Sequence, residues 1–273
     1  MGGYTDRLGF CSWALQPADV DDLLRLAAPL GLGRVQLALV PVAEQPASWR
    51  GVKEKLADAG IAIVSGMLAT LGEDYSTLET IRRTGGIVPD AHWEANRARA
   101  THVAQAAAAM GIPIISFHAG FIPHDTADAQ FVKLRDRLRT LADIYADAGL
   151  RLLLETGQET ADDLLAFLDE VDRPNVAVNF DPANMILYDK GDPIASLRKL
   201  IDRVEQVHIK DAVRTAAPGS WGTEVVVGEG EVDWPAFLRV LDDADYAGDL
   251  IIEREAGRDR GEDIRAAARL ICQ

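Results

Sequence analysis

Cysteine is almost absent: Cys11 and Cys272 stand at opposite ends of 273 residues, with no Cys-x-x-Cys spacing. That excludes a disulfide framework and a thiolate-rich structural zinc centre, and it makes a reducing, cytoplasmic setting the expectation. Positive charge is also scarce. Lys and Arg number 28 against 43 Asp and Glu, a formal charge of -15. A phosphate backbone or an anionic lipid surface is repelled by such a chain, so nucleic acid and membrane are not expected partners. A small anionic ligand in a local basic pocket stays compatible with it. No run of eighteen apolar residues exists, and Met1-Gly2-Gly3-Tyr4-Thr5-Asp6-Arg7 has no apolar signal-peptide core. Low-complexity tracts and Ser/Gly linkers are missing too, so one domain over residues 1–273 is expected.

What is present is a globular, enzyme-like composition, 48% hydrophobic and 26% charged. Eight short apolar runs recur: Leu8–Ala14, Arg34–Val40, Ile61–Leu68, Ile112–Ala119, Arg151–Thr156, Val176–Asp181, Val204–Lys210 and Asp249–Glu253. Helix-patterned segments follow them at 18–29, 46–59, 91–110, 127–148, 159–170, 193–202, 234–243 and 259–271. Gly31, Gly60, Gly111 and Gly149 close helical runs, and Pro193 and Pro235 suit first helical turns. Eight strands alternating with eight helices predict an α/β fold, a (β/α)8 TIM barrel. A doubly wound sheet would announce a glycine-rich phosphate loop after its first strand. Here that strand ends Cys11-Ser12-Trp13-Ala14. Two connections are long, about 69–90 after the third strand and about 212–232 after the seventh. Both fall on the C-terminal face, where barrel active sites are built.

The chemistry is carried by the residues that end the last four strands. They are Glu155, Asp181, His208 and Glu253, one per consecutive strand. Three carboxylates sharing a half-buried pocket repel one another, and a divalent cation removes the conflict. Three oxygen donors and one imidazole suit one divalent metal ion. Mn2+ is the expected ion, with Mg2+, Co2+ and Zn2+ as alternatives. A single such residue reads as a solvated rim group; four in register do not.

The patterns Leu-Leu-Glu155-Thr, Asn179-Phe-Asp181-Pro-Ala-Asn184, Val207-His208-Ile-Lys210-Asp211, Gly228-Glu-Gly230-Glu-Val-Asp233-Trp and Ile252-Glu253-Arg-Glu resemble the sugar phosphate isomerase/epimerase family of xylose-isomerase-like TIM barrels. That family includes D-tagatose 3-epimerase, D-allulose 3-epimerase and inosose-processing enzymes. The resemblance covers nearly the whole chain and is strongest from about residue 110 onward. It implies a metal held by Glu155, Asp181, His208 and Glu253, with Glu155 and Glu253 also the catalytic acid/base pair. It implies an isomerase or epimerase that abstracts a proton next to a carbonyl of a keto-sugar or related polyol, through a metal-stabilised enediolate. Arg214 stands six residues after the metal His, where ketose epimerases bind substrate oxygens. Asn184 occupies the place of their substrate-binding His, a departure from the D-tagatose-like pattern. Members are often homodimers or homotetramers, and nothing in the chain's own residues fixes an assembly.

Several residues keep two readings. His118 shares the inward parity of Ser116 and suits either a substrate hydroxyl contact or a structural role. Lys210 shares the parity of His208; it would reach a substrate oxygen or form a salt bridge to Glu253. Trp13 and Trp221 suit a sugar-pocket wall or plain packing, and Gln36 an incidental polar contact. Glu73-Asp74-Tyr75 reads as a closing segment or as a solvated acidic loop. A lyase or dehydratase, or a C-glycoside or 3-keto-sugar cleaving enzyme, would use the same metal and Glu base. An abasic-site nuclease shares the fold but would need more His ligands than His118 and His208.

Overall fold

The computed structural model describes residues 3–217 and 219–272, so Met1 and Gly2 of the amino-terminal reading and Pro218 of the second long connection lie outside the described residues. Seven of the apolar runs become β1 (Leu8–Cys11), β2 (Arg34–Ala38), β3 (Ala62–Met67), β4 (Ile114–Phe117), β5 (Arg151–Glu155), β6 (Val176–Phe180) and β7 (Val204–Ile209). A short antiparallel pair, β8 (Asp211–Val213) and β9 (Thr223–Val225), precedes β10 (Asp249–Ile252), the eighth stave. The eight staves are parallel and close on themselves in the order β1-β10-β7-β6-β5-β4-β3-β2. Strands covered on both faces need no polar alternation, which is why Leu152, Leu153 and Leu154 of β5 and Val176, Ala177 and Val178 of β6 are consecutive buried apolar residues.

The surrounding helices are α1 (Val20–Ala27), α2 (Leu39–Glu44), α3 (Val52–Asp58), α4 (Leu78–Thr84), α5 (Asp90–Met110), α6 (Ala129–Asp147), α7 (Ala161–Val171), α8 (Pro182–Leu187), α9 (Pro193–Leu200), α10 (Trp234–Asp243) and α11 (Arg260–Ile271). Their starts follow local chemistry. Asp19 accepts from Asp22 N to open α1, and Thr160 with Asp163 forms a reciprocal capping box on α7. The left-handed Gly111 closes α5 (φ 72°). The main core lies between staves and helices, with Phe180 of β6 against Phe237 of α10 and Phe131 of α6 edge-on to Phe167 of α7.

The structure departs from the expected boundaries in several places: the first strand stops at Cys11 instead of Ala14, and the helix expected from residue 46 begins at Val52. The second strand stops at Ala38 instead of Val40, and α2 starts at once. The first connection holds α4, and the second holds the β8–β9 hairpin. Helix α8, unexpected, follows β6 directly. Among the described residues, no helix is long and apolar enough to cross a membrane.

Candidate metal centre and substrate cavity

Glu155 closes β5, Asp181 and Glu253 each stand one residue past β6 and β10, and His208 lies within β7. Phe180 pairs with Val207, which sets Asp181 level with His208, while Glu155 pairs with Asn179 and His208 with Ile251, so Glu155 and Glu253 are each staggered by two residues along the ladder; all four side chains are buried. Each offers one donor atom, and the four donors lie within 4.8 Å of one another. His208 Nδ1 is 3.4 Å from Glu155 Oε1, 3.4 Å from Glu253 Oε2 and 3.8 Å from Asp181 Oδ2. Asp181 divides its carboxyl group. Oδ1 accepts from Ala183 N (2.8 Å) and Asn184 N (3.1 Å), capping α8, while Oδ2 has no hydrogen-bond partner. A buried carboxylate oxygen left unsatisfied is costly. Its position among two further carboxylates and an imidazole nitrogen fits a divalent cation.

The imidazole is oriented from below. His208 Nε2 donates to Gln36 Oε1 at 2.7 Å, and the Gln36 amide donates to Ser116 Oγ at 2.7 Å. This contact keeps one proton on Nε2 and aims Nδ1 at the carboxylates, so a cation would take the Nδ1 lone pair once the proton there is lost. Asn179 Nδ2 donates to Glu155 Oε2 (3.3 Å), and Gln206 Nε2 donates to Asn179 Oδ1 (3.3 Å). The interior layer under the cluster is thus a polar network. Asn179 and Asp181, like Gln206 and His208, are two residues apart on one strand and share a face.

The catalytic carboxylates expected from the sequence are also held. Trp13 Nε1 donates to Glu253 Oε1 (2.8 Å), and Asn184 Nδ2 donates to Glu155 Oε1 (3.0 Å). Lys210 Nζ is buried and donates to Glu253 Oε2 (2.9 Å) and Glu255 Oε2 (2.8 Å). His118 Nε2 lies 3.5 Å from Glu155 Oε1. Charge explains the ionisation. Burial would raise the Glu253 carboxyl, but Lys210 and His208 outweigh it and hold it well below its ordinary value. His118 and His208 likewise overcome burial and lower Glu155. Burial raises Asp181, and Lys210 only partly opposes it. The His208 imidazolium is favoured despite burial by Glu155, Cys11 and Glu253, so it sits well above its ordinary value.

Above the cluster opens a cavity of about 780 Å3. Its lining includes His118, Asn184, Lys210 and Glu253, together with Trp13 and Trp221. Five of the expected substrate and wall residues, His118, Asn184, Lys210, Trp13 and Trp221, therefore face one space with the cluster. Arg214 does not: it follows β8, pairs with Asp189, donates to Gly191 O (3.3 Å), and lines no part of this cavity. The hairpin explains the difference, because β8 turns the chain away six residues after His208. Lys210 realises the salt-bridge reading, and Tyr75 and Glu73 line the cavity. Sequence reasoning missed the supporting roles of Gln36 and Asn179, and it missed Tyr188 and Glu255 as lining residues. A polar residue inside a fully apolar strand, as in Val35-Gln36-Leu37, was the available signal.

Comparison with known proteins places this geometry. A family model described as a xylose isomerase-like TIM barrel matches residues 24–273. A xylose isomerase domain protein from Planctomyces limnophilus has a solved structure with a TM-score of 0.86, 33% identity, and coverage of 99% of this chain and 96% of that one. Curated relatives include an inosose dehydratase of Clostridium beijerinckii, 26% identical over 138 residues, and an L-ribulose 3-epimerase of Methylomonas sp., 31% identical over 123 residues. Those matches span 45% and 42% of this chain, and 46% and 39% of the respective relatives, less than half of their length. Fold, stave order and a family match over nearly every residue lead to one conclusion: the chain belongs to the xylose isomerase-like TIM barrel family, a superfamily of epimerases, isomerases and dehydratases.

Proposed function

We propose that the protein is a divalent-metal-dependent enzyme that moves a proton at a carbon next to a carbonyl of a sugar or related polyol, as an epimerase or isomerase. One observation carries this reading: three buried carboxylates and one imidazole offer donors within 4.8 Å of one another, at the floor of a large cavity. Glu155, Asp181, His208 and Glu253 would hold the cation, Mn2+ or another ion of similar preference. The ion would supply positive charge beside the substrate oxygen on which negative charge develops.

The chain's own residues supply the rest. Glu155 and Glu253 stand on the two flanks of the arc formed by Asp181 and His208, each ionised by its neighbours. One removes the proton and the other returns it, so delivery from the opposite face inverts the carbon. Asn184 and Trp13 fix the two carboxylates, which favours a near-attack geometry over a mobile base. His118 Nδ1, buried and without a partner, suits a substrate hydroxyl. Both cysteines are free, in keeping with a cytoplasmic enzyme.

The dehydratases among the relatives favour a second reading, in which the same deprotonation ends in loss of a β-hydroxyl. Deuterium wash-in from D2O, read by NMR on ketohexoses and keto-inositols with metal-loaded protein, tests both. Epimerisation labels the inverted carbon; elimination yields an unsaturated product. Glu155→Gln and Glu253→Gln should each lose the label, and retained exchange in both variants would remove them as bases.

A further inference from the structure

The cavity over the cluster has a definite charge and a definite apolar side. Its one ammonium, Lys210, is already shared between Glu253 and Glu255. Glu224 also lines it and is paired with Arg254 at 2.8 Å, while Glu73 has no cationic partner among the described residues and accepts from Gly86 N at 3.1 Å and from the Tyr75 hydroxyl at 3.4 Å. Carboxylates therefore outnumber cations along the wall. The free cations lie elsewhere. Arg82 and Lys190 have no carboxylate partner among the described residues, sit 5.8 and 6.0 Å over the Phe121 ring, and line other cavities. Arg214 is spent on Asp189. A phosphate dianion entering here would meet like charge with no guanidinium to receive it.

The outer wall is apolar. Tyr188 packs edge-on to Trp221 (4.8 Å between centroids), and Trp221 lies 6.5 Å from Tyr75. Val40, Leu68 and Leu187 extend this surface. Tyr75, at 45%, is one of two large hydrophobic side chains left exposed among the described residues, and it stands in this lining. The volume, about 780 Å3, lies in the upper part of the range that encloses drug-sized ligands, roughly 300–1,000 Å3. A bare monosaccharide leaves much of the aromatic side uncovered.

We infer that the substrate is an uncharged keto-polyol bearing an apolar group at the end remote from its carbonyl, and that phosphorylated sugars are excluded. This rests on the proposed function for the position of the carbonyl. Its test separates the two. Titration calorimetry on the metal-loaded full chain compares D-fructose, D-fructose 6-phosphate and 6-O-benzyl-D-fructose, which differ only at the far end. The benzyl ether should bind about tenfold more tightly than fructose, and the phosphate about tenfold more weakly or not at all. Tyr75→Ala should cut the benzyl advantage to about threefold or less. A phosphate bound as tightly as fructose, a benzyl ether no tighter than fructose or not bound, or an advantage undiminished in Tyr75→Ala overturns the inference. Parallel D2O exchange reads the function independently: the expected binding order without exchange sinks proton transfer and leaves the inference standing.

Discussion

Replacing Gln36 with leucine isolates the contact that orients His208. The amide oxygen lies 2.7 Å from His208 Nε2 in a fully buried setting; the other polar neighbours of that nitrogen are the Asn179 amide nitrogen at 3.1 Å, which accepts nothing, and the weak Cys11 Sγ at 3.9 Å. Leucine fills a similar volume without an acceptor, so the imidazole N–H is left unpaired. An orphaned buried donor costs about 1–3 kcal/mol. Loss of the partner behind a metal-binding histidine weakens affinity about 10–100-fold, which is about 1.4–2.7 kcal/mol. The two routes agree, so Gln36→Leu should weaken Mn2+ binding within that range. Gln36→Glu keeps an acceptor oxygen and should bind within about threefold of wild type or tighter. Calorimetric titration of chelator-stripped protein reads both affinities, and thermal unfolding reports that each variant is folded. A folded leucine variant with wild-type affinity would refute the orienting role, and so would an equal loss in both variants.

Three other outcomes follow from the geometry. Since the His208 imidazolium is favoured well above its ordinary value, metal must displace a proton there: affinity should fall as pH is lowered, with proton release near neutrality. Calorimetry in two buffers of different ionisation enthalpy measures it, and identical heats would contradict it. Asp211 is fully buried and accepts from Gly228 N (2.9 Å), Gly230 N (3.2 Å), Val232 N (3.2 Å) and Trp234 Nε1 (2.9 Å). Asp211→Ala orphans these four donors and Ala212 N (2.9 Å) and should cost about 3 kcal/mol or more, lowering the Tm by roughly 6–12 °C, as read by scanning calorimetry; a shift under about 2 °C would deny the hub. At Gly66, an added Cβ would lie 2.2 Å from Leu39 Cδ1 and 2.9 Å from Ile115 Cδ1, so Gly66→Ala should lose about 1–3 kcal/mol in urea unfolding, and unchanged stability would show that the wall yields.

The barrel was legible because staves covered on both faces are mostly apolar, so residues 152–154 and 176–178 stand out as apolar runs that lead to Glu155 and Asp181. The cluster was legible for the same reason, since Glu155 and Glu253 have no packing role at the end of such a run. Other features were hidden where one residue type serves two masters. Leu39 and Val40 read as the end of the strand from their apolar side chains, yet they begin α2, where the following Pro41 is tolerated in the first turn and tertiary packing decides. Asp181 signalled a ligand and concealed that it also opens α8. The β8–β9 pair is short and its second strand is partly solvated, so it gives little periodic signal, and with it the true direction of Arg214 was lost.

The divided carboxyl of Asp181 has a mechanical consequence. One oxygen anchors the first turn of α8 and the other faces the centre, so the helix and the ion would pull on a single rigid group. The far end of that helix holds the hairpin, since Gly222 N donates to Leu187 O at 3.2 Å. Loading the centre should therefore tighten a segment more than thirty residues further along the chain, and slower amide exchange across 182–187 and 222–225 in metal-replete protein would record that transmission.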